Sequence, residues 1–404
     1  MCDTLRVLLN KAPRGAMTAL FCLLVAPFFR PQVIEHIGHP ELYDLYFWWR
    51  VAASLVIVAL FLVARRCKVF SAVAGLFALS ALIPTLLFSG RLMVWFDQFF
   101  SFSMAMVLAA IATRLWRKEF LSALCFVTSV LLVCNCCSVI MFPDGIWAPH
   151  YYFFGNRNGI FLMMLPALGS SFMLDSERRG RLPIRSILLV AVSAINLMLD
   201  TSNTSSIALV LFLIAVFLVR YKVLRQFLNG ITYAVAYLVA MLLFVFCRVG
   251  DVLKSVLEGV LREDITFSGR TPVWDAILGT QDPLSVLIGH GTVDYGYITI
   301  DGVTLNAHNL LLHIWYVGGL LTTVLFFGLV AYGVANLYRG RVSKRVALAA
   351  AMLGAFFVVG ITEAEPYCSF YFALGIAASI EPEAIRTRAA VSSSPSAERA
   401  NSSA

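Results

Sequence analysis

Charge is what this chain has least of. Asp, Glu, Lys and Arg make up 13% of its 404 residues, about half the quarter that a soluble domain uses to cover its surface. That shortage excludes a soluble enzyme wetted on all sides, a nucleic-acid-binding module and a disordered scaffold. Paired metal ligands are also scarce. Cys134, Cys136 and Cys137 sit together on one apolar segment with no second pair elsewhere. His36 and His39 form a single His-x-x-His beside two carboxylates. Neither supplies a four-ligand set, so no metal and no cofactor is expected. Seven of the nine cysteines fall in apolar runs, where cysteine packs as a small hydrophobe.

What the chain has in abundance is apolar sequence: 60% hydrophobic residues and a mean hydropathy of +0.83. Apolar runs broken by short charged stretches predict twelve helical spans, roughly 16–29, 45–64, 69–89, 99–113, 120–142, 159–174, 186–199, 205–219, 231–247, 309–337, 345–361 and 366–380. A spanning helix needs about 20 apolar residues, and the first and seventh runs are short by that measure. The expected fold class is therefore an all-α, polytopic integral membrane protein of about twelve transmembrane helices.

The net charge of +8 is explained by where the charges lie. With the amino terminus taken as cytoplasmic and the spans alternating, 23 of the 31 Lys and Arg fall in inner segments and 7 in outer ones, with Arg50 inside a span. Acidic residues do the reverse, 16 outside and 7 inside. This is the positive-inside pattern, with both termini cytoplasmic and the basic residues facing anionic lipid. No nucleic acid is needed. The basic start and first apolar run read as an uncleaved first helix, since no small-x-small site precedes Arg30-Pro31. The expected organisation is helices one to nine over 1–247, a large extracytoplasmic loop over 248–307, helices ten to twelve over 308–380, and a disordered cytoplasmic tail over 381–404.

The large loop is out of scale with the others, and long loops in compact proteins usually carry function. Apolar positions over 251–264 predict an amphipathic helix on the outer leaflet. In the stretch 267–274, Thr271 followed by Pro272 reads as an N-cap and first-turn proline. Arg270 then sits at a helix mouth that favours a phosphate or diphosphate, or else is a solvated loop arginine pairing with a nearby Asp. The glycine-rich stretch 289–302 reads as turns or a hairpin carrying Tyr295 and Tyr297. Outer-loop aromatics, Trp147, Tyr151 and Tyr152 included, stack on sugar rings or form an interfacial belt.

Asn306-Ala307-His308-Asn309 leads straight into the tenth apolar run. At a helix start the dipole disfavours imidazolium, so His308 is a candidate general base, or a hydrogen-bonding anchor. His313 reads as structural. Gly155-Asn156-Arg157-Asn158-Gly159 opens the sixth span and makes Arg157 a second candidate anion ligand. Arg50 either snorkels to headgroups or points into a pocket; apart from Arg345 at the boundary of the eleventh run, no other Lys, Arg, Asp or Glu lies inside an expected span.

Three of these breaks, in this order, resemble the superfamily of O-antigen ligases and O-antigen or capsule polymerases. They are Gly-Asn-Arg-Asn-Gly at 155–159, Ser-Gly-Arg-Thr-Pro-Val-Trp at 268–274, and Ala-His-Asn-Leu-Leu-Leu followed by Gly318-Gly319 at 307–319. Thr362-Glu363 is a further, weaker likeness. The resemblance covers about 150–380. It implies a bacterial inner-membrane glycosyltransferase that moves a glycan from a polyprenyl (undecaprenyl) diphosphate carrier to an acceptor hydroxyl at the outer face, inverting and metal-independent.

On that resemblance Arg270 holds the diphosphate, His308 is the base, and Asn156, Arg157, Asn158, Arg50 and Asn309 line the substrate site. The implied partners are a carrier-linked oligosaccharide, an acceptor glycan or glycolipid, the bilayer, a chain-length regulator and a flippase. Many relatives carry a Ser-Arg pair at the outer end of a middle span; here Thr204-Ser205-Ser206 stands there without an arginine, leaving Arg157 or Arg50 to replace it. The acceptor distinguishes a polymerase, favoured by the motif wording, from a ligase acting on lipid A-core. A transporter of lipid-linked sugar predicts internal repeats and charges deep in the spans, and the sequence has no obvious repeat.

Overall fold

The computed structural model describes residues 12–36, 38–177, 183–247, 270–293, 296, 298–300, 303–363 and 367–381. The expected amphipathic segment over 251–264, Tyr295, Tyr297 and all but the first residue of the 381–404 tail lie outside the described residues.

Every expected span coincides with a helix. These are α1 (Arg14–Val25), α2 (Pro40–Ala64), α3 (Lys68–Leu87), α4 (Leu92–Leu115), α5 (Arg117–Met141), α6 (Arg157–Asp175), α7 (Ile184–Leu199), α8 (Asn203–Leu218) and α9 (Gly230–Phe246). After two shorter helices in the loop, α10 (Arg270–Gly279) and α11 (Pro283–Ile288), come α12 (Leu310–Arg339), α13 (Lys344–Val359) and α14 (Tyr367–Ser379). Six of them, α2, α3, α4, α5, α6 and α12, are long and apolar enough to cross a membrane. The other six expected spans are shorter than that; the sequence marked only the first and seventh runs as short, so six of the twelve fall below the length. Two three-residue strands, β1 (Ile298–Ile300) and β2 (Val303–Leu305), pair antiparallel; of the turns or hairpin expected over 289–302 only the first strand falls in that range.

The bundle is layered by burial. Helix α14 packs on α4, α6, α12 and α13, and its Phe370, Phe372, Leu374 and Ile376 are fully enclosed. Tyr371 stacks on Phe102 of α4 with ring centroids 4.2 Å apart. Peripheral helices instead show apolar stripes outward, such as Leu55 and Leu62 on α2 or Leu76, Leu79 and Leu86 on α3. Exposed apolar surface on this scale suits a hydrocarbon solvent.

Helix boundaries moved one expectation. The fourth span begins before residue 99, so Asp97 lies within α4, on a π turn over Phe96–Phe100. Arg50 is thus not the lone intramembrane charge. It neither snorkels nor points into a pocket: its guanidinium donates to Asp97 Oδ1 at 2.6 Å and to the Pro27 carbonyl at 3.1 Å, fully enclosed. A charge in apolar surroundings needs a partner, and a residue 47 positions away supplies it.

Helix α12 breaks at Gly319, where φ is 64° and ψ −166°. The break frees carbonyls that the loop takes up: His290 N donates to Tyr316 O and Gly291 N to Val317 O, both at 2.9 Å. A Cβ at Gly319 would lie 2.4 Å from the Gly289 nitrogen, so the close approach requires glycine there. The loop continues onto α3, where the Thr292 amide donates to Thr85 Oγ1. The described part of the loop is therefore tied down on two helices.

Candidate active site

Each motif residue owes its position to a local device. Asn309 caps α12, its Oδ1 accepting from the Leu311 and Leu312 amides at 3.1 Å. Its amide group donates to the Ile361 carbonyl at 2.9 Å, and the Leu310 amide donates to Gly360 O. The start of α12 is thereby stapled to the end of α13. Just past that end stands Glu363, whose amide bonds back to Val359 O.

His308 precedes the cap with φ at 43°, an unusual left-handed conformation for a residue with a side chain. Asn306 supports it by accepting the His308 amide on Oδ1 at 2.9 Å. Such local strain recurs at functional sites. The side chain is 29% exposed, enough to reach a ligand.

Arg270 opens α10, one residue ahead of the expected cap at Thr271. One turn on, Trp274 is fully buried and its indole N–H donates to Ala307 O at 3.0 Å. Residues four apart share a helix face, so this anchor sets Arg270 against the residues around His308.

The three lines converge on one carboxylate. Arg270 Nη2 donates to Glu363 Oε1 at 2.7 Å, and Glu363 Oε2 lies 3.9 Å from His308 Nδ1. Arg270 thus pairs with a carboxylate, as its second sequence reading has it, but the acid is Glu363 and the arginine is buried where that reading had it solvated. His308 and Glu363 line a cavity of about 350 Å³ together with Arg30, Gln32, Tyr151, Asn156, Asn158 and Asn306. The wall is rich in amide side chains, which donate and accept, and a volume of a few hundred Å³ is typical of small-ligand sites.

The remaining sequence candidates are sorted by this geometry. Asn156 and Asn158 line the cavity; Asn156 Oδ1 also accepts the Asn158 amide, capping the first turn of α6. Gly155 beside them has φ at 142°, and a Cβ there would lie 2.4 Å from Gln32 Oε1. Arg157 is absent from the wall: its guanidinium donates to Asp200 Oδ1 at 3.2 Å, next to His150, whose Nδ1 is 3.0 Å from Asp200 Oδ2. Asn309 is fully buried and occupied by the staple described above. Arg50 is held by Asp97. His313 is buried with its ring nearly parallel to Phe99, as a structural residue. His36 stacks on Trp147 with centroids 4.4 Å apart.

Sequence reasoning missed Arg30 and Gln32 entirely and gave Glu363 no role. Glu363 could have been found as an acid placed just past an apolar span on the same side as Arg270 and His308. The segment that lacks the expected arginine does border the site: Thr204 Oγ1 lies 3.1 Å from Thr362 Oγ1, and Ser205 Oγ donates to Asn158 O at 3.1 Å.

A search of curated proteins finds no significant match to this chain. Residues 188–327, roughly a third of the chain, match the family model described as O-Antigen ligase, a stretch that takes in Arg270 and His308 and stops before Glu363. Residues 188–327 are thus similar to the O-Antigen ligase family, which independently supports the resemblance drawn from the motifs at 268–274 and 307–319; the motif at 155–159 lies outside the match.

Proposed function

We propose that this protein transfers a glycan from a polyprenyl diphosphate carrier to an acceptor hydroxyl at the outer face of a bacterial inner membrane, and that the acceptor is the end of another carrier-linked repeat unit. The observation that carries the reading is the meeting of His308 and Glu363 at the wall of a polar cavity, with Arg270, itself outside the lining, paired to Glu363. The positive-inside distribution of Lys and Arg supports the outward assignment of that wall and the cytoplasmic assignment of both termini.

The reaction is a single displacement. The acceptor oxygen attacks the anomeric carbon while the bond from that carbon to the carrier's phosphate oxygen breaks. His308 takes the acceptor's proton, and the carrier diphosphate leaves with the bonding pair. One displacement inverts the anomeric centre. Negative charge grows on the leaving oxygen, and the Arg270 guanidinium, on a helix anchored by Trp274, supplies the opposite charge. Independence from metal is carried over from the family resemblance. Arg30, in the cavity wall, is the second cation of the site and is itself paired with Glu35; Arg157 and Arg50 are given to Asp200 and Asp97 and lie outside the wall. The amides of Asn156, Asn158, Gln32 and Asn306 suit sugar hydroxyls. A chain-length regulator and a flippase are the partners that the resemblance adds.

The family model's description favours a second reading, a ligase that uses lipid A-core as acceptor. Purified protein in detergent, given a defined polyprenyl diphosphate oligosaccharide, separates the two. A product ladder from carrier-linked substrate alone, absent with His308→Ala, is the polymerase outcome. Product only after lipid A-core is added makes it a ligase. No product with either acceptor from folded wild type sinks the transferase reading and turns the search to transport.

A further inference from the structure

We propose that Glu363 is a positioning residue that serves both halves of the transfer: it orients His308 as the base and holds Arg270 in place until the diphosphate arrives. The inference rests on the transferase reading above. No sequence motif pairs these residues; Glu363 is 93 positions from Arg270.

The argument begins with the division of its two oxygens. Oε1 accepts from Arg270 at 2.7 Å, while Oε2 faces His308 Nδ1 at 3.9 Å. That distance is longer than a hydrogen bond, and His308 Nδ1 has no hydrogen-bond partner among the described residues. A buried ring nitrogen without a partner costs stability, so a small closure onto Oε2 is favourable, and catalytic hydrogen bonds often tighten only when substrate is bound. Once Nδ1 carries its proton toward Glu363, the opposite nitrogen, Nε2, is the one left to accept a proton from a substrate. The carboxylate then stabilises the imidazolium that forms as the acceptor is deprotonated.

The same carboxylate constrains Arg270. Without a diphosphate, a cation this enclosed would be costly to bury, and Glu363 neutralises it. A diphosphate with more than one negative charge outcompetes a single carboxylate for the guanidinium. Arg270 then turns to the leaving group, and Glu363 becomes free to interact with His308 alone. Binding of the carrier and readiness of the base are coupled through one side chain. The other charged or titratable groups on the cavity wall are Arg30 and Tyr151, and both are unchanged in the test that follows.

The test compares Glu363→Gln with wild type in the detergent assay, with the acceptor that supports wild-type product. Glutamine keeps the size and an acceptor oxygen but removes the charge. The expected result is a fall in kcat of about a hundred-fold, a KM for the carrier substrate that is unchanged or lower, and an acidic limb of the pH–rate profile displaced to lower pH. Glu363→Asp, which keeps the charge, is expected to retain the wild-type position of that limb at reduced kcat. A Glu363→Gln protein whose pH limb does not move overturns the proposal, whatever its activity or thermal stability, because a merely structural carboxylate would lower the folded fraction and leave the profile in place. Wild type that makes no product with any acceptor refutes the transferase reading itself and is a different outcome from this one.

Discussion

Helices α6 and α13 each run between two buried clusters of charge, and the two clusters differ in how they are closed. At one end Glu177, just past α6, accepts from Arg117 at 2.8 Å and Arg345 at 2.9 Å, with Lys118 at 3.1 Å. Burial pushes the Glu177 carboxyl up, but Arg117, helped by Lys118 and Arg345, outweighs it and holds the group below its ordinary value. At the other end Glu363, just past α13, takes Arg270 on one oxygen and leaves the other facing His308 beside a cavity. The residue types are nearly the same. The first cluster surrounds its acid with cations and joins helix ends; the second keeps one face toward a ligand-sized space. Composition does not separate a structural ion network from a site, whereas access does.

That contrast breaks most sharply at His308. Replacing His308 with Ala is expected to lower turnover about a thousand-fold, with a thermal midpoint in detergent close to wild type, because the ring borders a cavity. Arg270→Ala is expected to cost somewhat less, about a hundred-fold, seen mainly in kcat for the carrier-linked substrate. A large loss of folded protein in either variant would place that residue in the structural class with Glu177.

Glu177→Gln is the converse experiment. Leaving Arg117 and Arg345 without their acid should destabilise the protein by about 3 kcal/mol, read as a lower midpoint in thermal unfolding, while turnover per folded molecule stays near wild type. The sign with pH follows from the lowered carboxyl: its contribution is complete above the ordinary carboxylate value of 4.5 and is lost as pH falls below it through the folded-state value. Stability of the wild type should therefore drop in that acidic window more than that of Glu177→Gln.

Asn309→Ala should lie between the classes. Losing the cap costs about 1 kcal/mol, and losing the bond to Ile361 loosens the staple that sets Glu363 against His308, so a modest fall in both midpoint and kcat is expected. The smallest effect belongs to Arg157→Gln. Its guanidinium is partly exposed, paired with Asp200 and outside the cavity lining; a two-fold change in KM or less is expected from initial-rate measurements. A change of a hundred-fold would return Arg157 to the substrate site.

The sequence carried some of this site and not the rest. Arg270 at a helix mouth and His308 at the edge of an apolar run were legible because each depends on neighbours within a turn: the Thr-Pro start, the Asn cap, the switch from loop to apolar composition. Asn156 and Asn158 were legible for the same reason. Glu363 was not, since its role comes from meeting α10 and the start of α12 in space, and no period in the chain encodes that meeting. Arg50 was misassigned because its partner, Asp97, lay just beyond an expected boundary. Arg157 looked like an anion ligand only while Asp200 was out of view.

What the sequence by itself determined is the membrane class, the position of each apolar helix and the segments where chemistry can occur. These follow from composition and short-range pattern, which act before any distant contact forms. Which arginines are spent on carboxylates, which amides line the cavity and which acid joins Arg270 to His308 were decided by the tertiary structure. The physical reason is that a buried charge must find a partner wherever packing brings one, and for Arg157, Arg50 and Arg270 those partners are 43, 47 and 93 residues away.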